Sequence, residues 1–213
     1  MATKLGLFNG ALVALGHRRL SDTGEVVQSG RELVAVYDQV VGECLSVGSW
    51  NFAMETVKAV ADTGVTPSFG FTEVFAKPTD FVRTIGISQD EYLNTPLLEY
   101  YDDANFWSAD SSPIYIRYVS NDTGLGLELT RWPRAFTRYV ELELAARVCN
   151  ILTQSESLRE SVKKDRDKAR RTALNQDAMN QAQPAFAPPG GWTLSRGGRT
   201  GRGDRGSRGS LTG

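Results

Sequence analysis

Arg196, Arg199, Arg202, Arg205 and Arg208 recur at every third position of a segment otherwise made of Gly, Ser, Thr and Leu, with Asp204 as the only counter-charge. A guanidinium presents a planar fork of N–H donors that matches phosphate and carboxylate alike, so the segment suits a nucleic-acid backbone or an acidic protein surface equally well. Gly-Arg segments of this kind contact RNA in a salt-sensitive way with little sequence preference. Glycine does not fall at strict thirds, because Thr200 intervenes, so a collagen helix does not follow. Arg202-Gly203-Asp204 spells an integrin-type tripeptide, which inside an arginine/glycine repeat is read as chance. Upstream, Gln183-Pro184 to Gly191-Trp192 is too rich in Pro and Gly to pack by itself, and Phe186 and Trp192 are its apolar anchors.

The remaining residues with reactive side chains do not assemble into a catalytic set. His17, the single histidine, follows Gly16 at the end of a predicted helix, where an imidazole sits favourably, and one histidine cannot build a multi-histidine metal site. Cys44 and Cys149 lie far apart in apolar helical contexts and read as core thiols of a reducing compartment. Asp102 and Asp103 are a carboxylate pair in an acidic, aromatic loop, read as solvated rather than as an acid–base couple. Thr123-Gly124-Leu125-Gly126-Leu127 lacks the third glycine of a dinucleotide fingerprint and reads as a turn; no nucleophile elbow or phosphate loop occurs. The expectation is a protein that is not an enzyme and needs no cofactor or metal.

The elements that would carry these residues are dominated by Pro133 to Pro184, whose 50 intervening residues contain neither Gly nor Pro. Pro133 is expected at the first helical position, with Thr130 or Trp132 as cap. Phe136, Val140, Leu144, Val148 and Ile151/Leu152 then form an apolar stripe. Thr153…Glu156 and Ser157…Glu160 have capping-box spacing, which predicts a break. Beyond it the stripe thins to Leu158, Val162, Ala169 and Ala173, and Glu160–Lys164 and Asp167–Arg171 fall in favourable i,i+4 order, so this half is expected to project and to face solvent or a partner.

Earlier in the chain, Leu5, Phe8, Leu12 and Leu15 predict a helix stopped at Gly16, and Leu33 to Leu45 predict a second ending near Gly48. Ser49-Trp50-Asn51-Phe52-Ala53 is expected to open a third, with Phe52, Val57 and Val60 inward, ending at Thr63-Gly64. From residue 67 the period changes to two. Phe69–Phe75, Phe81–Ile87, Leu97–Tyr101 and Pro113–Val119 predict strands of one small sheet, separated by the loop Asp102–Trp107. The predicted class is α+β: an antiparallel helical bundle with an inserted small β-subdomain, a long C-terminal helix and an extended tail. Residues 1–183 would form the body (helices 5–64, β-rich insertion 67–126, long helices 133–183) and residues 184–213 an arm.

Residues 1–150 hold 12 Lys/Arg against 19 Asp/Glu, and residues 151–213 hold 12 against 6, so an acidic body carries a basic end. No run approaches a membrane span, and Met1–Gly10 lacks the pattern of a signal peptide, which predicts a soluble chain made in the cytoplasm.

The order of these features resembles the head-to-tail adaptor proteins of short-tailed bacteriophages, the tail tubular protein A family. The similar residues are Ala11-Leu12-Val13-Ala14-Leu15-Gly16, Tyr37-Asp38-Gln39-Val40, Ser49-Trp50-Asn51-Phe52-Ala53 and Lys77-Pro78-Thr79-Asp80-Phe81-Val82-Arg83. They continue with Ile116-Arg117-Tyr118-Val119, Trp132-Pro133, Leu144-Ala145-Ala146 and Leu152-Thr153-Gln154-Ser155. The resemblance implies a structural virion protein made in the host cytoplasm. It implies a homo-oligomeric ring of about a dozen copies that joins the portal protein to the tail nozzle protein and continues the DNA channel. In that family the C-terminal segment clasps the portal, which would make Phe186, Trp192 and the five arginines portal- or subunit-binding residues, with channel DNA as a further contact. The Arg/Gly extension after Trp192 departs from the family, whose members commonly stop soon after a tryptophan. The alternative expectation is a nucleic-acid-binding protein that uses this tail.

Overall fold

A computed structural model describes residues 2–65, 67 and 70–180. The first helix, α1 (Lys4–Ala14), begins where the Thr3 hydroxyl accepts from the Gly6 amide at 3.0 Å. It stops where Gly16, at φ +70°, lets the His17 amide return to the Leu12 carbonyl at 2.9 Å. In α2 (Gln28–Ser46), Leu33, Val40, Val41, Cys44 and Leu45 are buried. The turn between them is clamped by Asn9, whose side chain both donates to the Leu20 carbonyl and accepts from its amide, at 3.1 and 2.7 Å.

Where the apolar spacing predicts a third helix over 49–64, the chain instead makes one 3-10 turn (Asn51–Ala53) and becomes strand β1 (Met54–Ala59). The reason is tertiary. Met54-Glu55-Thr56-Val57-Lys58-Ala59 pairs residue for residue with β6 (Ile114–Ser120), from Met54 opposite Val119 to Ala59 opposite Ile114, and that ladder outweighs a weak helical period. On the other side of β6 lies β3 (Phe81–Ser88), also antiparallel, with register shifts between Phe81 and Arg83 and between Thr84 and Gly86.

The predicted single sheet is two. β2 (Glu73–Ala76), β4 (Tyr101–Asp102) and β5 (Phe106–Ala109) form a second antiparallel sheet in the order β2-β5-β4. Phe106-Trp107, expected in a loop, is therefore strand, with Trp107 opposite Phe75 and fully buried. Leu97–Tyr101, expected as strand, contributes only its last residue. Pro96 bridges Ser88 alone, and the Leu97 amide reaches the Ile87 carbonyl at 2.9 Å. Phe75, Ile87, Trp107, Ala109, Ile114 and Ile116 make one core, and the helices with Trp50, Ala53, Val119 and Trp132 make the other. Alternation along β6 serves both: Ile114 and Ile116 point to the first and Val119 to the second.

α3 (Arg134–Thr153) is the axis. Pro133 is its N-cap rather than its first residue, and Phe136, Tyr139, Val140, Leu142, Leu144, Ala145, Val148 and Cys149 are buried almost all round because α1, α2 and α4 pack on different faces. The predicted break is present, but neither capping box closes it. Gln154 turns left-handed at φ 49° and the Ser155 hydroxyl accepts from the Leu158 amide at 3.4 Å. After it, α4 (Glu156–Met179) doubles back antiparallel along α3 instead of projecting, with Val162 and Ala173 buried and Leu158, Ala169 and Leu174 packed at the edge of the core. Its charges are used differently from the predicted pairs. Arg166 reaches Glu143 on α3 at 3.5 Å, and Arg171 donates to the Asp167 carbonyl rather than to its carboxylate.

Candidate functional site

Phe186, Trp192, Arg196, Arg199, Arg202, Arg205 and Arg208 lie outside the described residues. The other side chains singled out for their chemistry are placed, and most are occupied in holding the fold. Cys44 and Cys149 are fully buried. Burial pushes the Cys44 thiol up to about 12, against a smaller opposing effect of its hydrogen bond with Tyr139, so it is not a thiolate at neutral pH. Asp102 pairs with Lys77 and accepts the Thr84 hydroxyl at 2.6 Å, while the Asp103 carbonyl also accepts from Lys77. Gly124 and Gly126 form a turn in which the Gly124 amide bonds to Asp122 at 2.7 Å. A Cβ on Gly126 would lie 1.9 Å from the Ser120 carbonyl oxygen, so only glycine fits there.

Several of the stretches that carry the resemblance are joints between elements, while Ile116–Val119 and Leu144–Ala146 lie inside β6 and α3. In Trp50-Asn51-Phe52-Ala53, the indole of Trp50 donates to the Cys44 carbonyl at 2.9 Å. Trp50 meets Phe136 edge-on and Phe52 meets it at a tilt, both at 4.8 Å between centroids. Asn51 fastens the far end of α4: its amide donates to the Asp177 carboxylate at 3.0 and 3.2 Å, and its side chain to the Asp177 carbonyl at 2.7 Å. In Lys77 to Arg83, the Lys77 side chain is only 7% exposed, with its ammonium 4.4 Å from the Phe81 ring centroid and 5.3 Å from that of Trp107. The Thr84 hydroxyl accepts from the Trp107 indole at 2.9 Å, which ties one sheet to the other. Asp80 accepts from the hydroxyls of Ser120 and Tyr118, and Arg83 reaches the Val47 carbonyl at 3.5 Å. Tyr37 meets Phe8 edge-on at 5.7 Å with the Lys4 ammonium over its ring, and the Trp132 indole donates to the Gly126 carbonyl at 2.9 Å.

Two further surfaces stand out by their charge. Residues 70–130 carry 3 Lys/Arg against 10 Asp/Glu, and within 89–110 six carboxylates occur with no Lys or Arg. That span displays Tyr92 and Leu98, 75% and 84% exposed, on a loop built to hold them. Asp90 accepts from the Ser88 hydroxyl and from the Thr95 and Asn94 amides, bonds that hold its carboxyl below the usual range, while Leu97 and Tyr100 tuck under against the sheet core. Residues 131–180 have the opposite sign, with 11 Lys/Arg against 7 Asp/Glu. Between α3 and α4 runs a groove of about 340 Å³ with Ala135, Leu142 and Ala169 in its wall and Arg138, Lys168 and Asp165 at its rim.

Sequence reasoning missed Asp177, Lys77 as a caged cation, and the Tyr92/Leu98 loop. Only the loop had a signal in the sequence, a run of carboxylates and large apolar residues without a cation. Among the described residues no cluster of His, Cys, Asp and Glu has the grouping to hold a metal ion, and no helix is long and apolar enough to cross a membrane. No family model matches the sequence, and no curated protein is significantly similar to it.

Proposed function

We propose that this chain is a structural subunit of a bacteriophage virion, a head-to-tail adaptor that assembles into a ring at the portal vertex. In this reading the ring joins the portal protein to the tail nozzle, continues the DNA channel, and is built from chains made in the host cytoplasm. The fold is then an antiparallel helical bundle with the β-region inserted between α2 and α3. The observation that carries the reading is the role of the resembling residues. Trp50 to Ala53, Lys77 to Arg83, Trp132-Pro133 and Thr153 to Ser155 hold the helices, the strands and the α3–α4 hairpin to one another. The division of charge between residues 70–130 and 131–180 suits contact between like subunits. The role is non-catalytic, and the basic segment from Arg196 to Arg208 is its strap to the portal or to a neighbouring copy.

Electron microscopy of the purified full-length chain, alone and with the portal protein of the same phage, tests this. Closed rings that cap the portal are expected. A chain that stays monomeric at high concentration and ignores the portal refutes it. The five arginines favour one second reading, a nucleic-acid-binding protein. That reading expects an oligonucleotide shift that weakens steeply with salt and disappears when residues 196–213 are removed.

A further inference from the structure

We propose that the acidic loop around Tyr92 and Leu98 of one copy seats in the basic α3–α4 groove of the next, which makes the contact between subunits head-to-tail. The proposal rests on the ring reading and specifies its interface.

Three observations on the two surfaces match one another. The first is charge: Asp90, Glu91 and Glu99 flank the exposed apolar pair, and no Lys or Arg occurs from 89 to 110. At the groove, Lys168 has no ion-pair partner among the described residues, and Lys164 and Arg171 stand one turn to either side of it. Arg134 stands one turn before Arg138 in the same way, while Arg138 itself is shared with Glu141 at 3.0 Å and Asp165 is the opposing charge on the rim.

The second is apolar fit. Leu98 is the most exposed leucine on the described surface, and the groove wall of Ala135, Leu142 and Ala169 is open enough for a leucine or tyrosine side chain. The two alanines leave room beside Leu142 for a large side chain from outside. The third is preorganisation. The loop is held from below by Asp90, Leu97 and Tyr100, so docking does not have to order it.

The loop and the groove are different patches of one chain. A contact between them is therefore heterologous, the kind that propagates from copy to copy and closes into a ring when the rotation per subunit divides a full turn. A two-fold pair would instead bring like patch to like patch.

Two variants that each add one cysteine test this, Leu98→Cys on the loop and Thr172→Cys in the lining of the groove, with Cys44 and Cys149 left in place because both are buried. Under mild oxidation a mixture of the two variants is expected to give a cross-linked dimer that neither gives alone. Glu91→Lys with Glu99→Lys is expected to raise the concentration needed for assembly about tenfold or more, and Arg138→Glu with Lys168→Glu in the same chain to restore most of it. Circular dichroism and urea midpoints check that each variant is folded. Rings that form normally in the loop variant, with no cross-link in the mixture, overturn the docking and leave the ring standing. Cross-links within open filaments keep the docking and refute the ring. A folded chain that never self-associates refutes both. Oligonucleotide binding that Lys168→Glu abolishes, with assembly unchanged, assigns the groove to nucleic acid and overturns the proposal.

Discussion

Replacing Asp177 by Asn is expected to leave the protein as stable as the parent or more so at neutral pH, although it removes a charge from a hydrogen-bonded site. The Asp177 carboxylate accepts from the Asn51 amide with both oxygens, at 3.0 and 3.2 Å, and the single oxygen of an asparagine keeps the shorter bond once its NH2 turns away from that donor. The second link, from the Asn51 side chain to the Asp177 carbonyl, does not involve the side chain at all. What changes is the burial of charge. Desolvation raises the Asp177 carboxyl above its usual range despite the bonds from Asn51, so the folded protein holds this carboxylate less comfortably than the unfolded chain does. With a folded pKa above the unfolded one, the stability linked to this group is present in full below the unfolded pKa, about 3.9 for an aspartate, and is lost as pH rises through the folded pKa. The Asn variant does not titrate there. Its stability relative to the parent should therefore rise as pH goes from about 4 toward 7 and then level off. Asp177→Ala is the contrast. It leaves the Asn51 amide without an acceptor, a loss of about 1–3 kcal/mol, partly offset by removal of the desolvated charge, so a net loss of about 1–2 kcal/mol is expected. Urea unfolding followed by tryptophan fluorescence across this pH range measures both. An Asn variant less stable than the parent at pH 7, or one whose relative stability grows toward acid, would refute the reasoning.

Phe52→Ala should lower stability by about 3 kcal/mol in the same assay, because its ring fills the space between Trp50, Trp132 and Phe136; a loss below about 1 kcal/mol would show the ring is dispensable to this cluster. Gly126→Ala and Gly10→Ala should differ sharply. The first puts a methyl against the Ser120 backbone and should leave little soluble protein, whereas the second meets the Glu141 side chain from its Cγ outward, which must change rotamer and give up its pair with Arg138, so that variant should stay folded with a modest loss that about 1 kcal/mol of helix propensity partly offsets. Cys44 and Cys149 should resist a thiol reagent at pH 8 until denaturant is added, and for Cys44 both burial and the high pKa set that resistance; rapid labelling of the native protein would contradict it.

The helical part of the fold was legible where period, cap and stop agreed. Gly16 and the run from Phe136 to Leu152 are local signals, and the structure uses them locally, whereas the Thr3 cap went unread. The failures share a cause. Met54–Ala59 has a weak helical period but is claimed by β6, more than fifty residues away, and Phe106-Trp107 is claimed by Phe75 in the same manner. The return of α4 was hidden because its holding contacts, Asp177 to Asn51 and Arg166 to Glu143, are polar and non-local, whereas a stripe of apolar residues was the only measure available in sequence. Lys77 falls between the predicted strands Phe69–Phe75 and Phe81–Ile87 with no local sign of its role; its cage needs Phe81, Trp107 and Asp102 brought from three places. Of the candidate surfaces, the arginine spacing was plain in the sequence, and the groove was not, because it exists only once α4 lies on α3.

The central position of α3 has a consequence for synthesis. α1 and α2 pack chiefly on α3 and scarcely on each other, so on the ribosome both helices are finished long before α3 can cover their apolar faces. Strands β1 to β6 close among themselves earlier, since Met54 finds Val119 before Arg134 has been made. The middle of the nascent chain thus acquires structure before its beginning. At ~5–20 residues per second, Leu45 waits on the order of ten seconds for Val148, an interval in which a chaperone or a premature encounter with another chain competes for it. Ribosome-arrested chains make the order visible. Those ending once residue 120 has cleared the tunnel should protect the β-region from protease and leave 4–46 open to cleavage, and protection of 4–46 should come only when residue 150 has emerged.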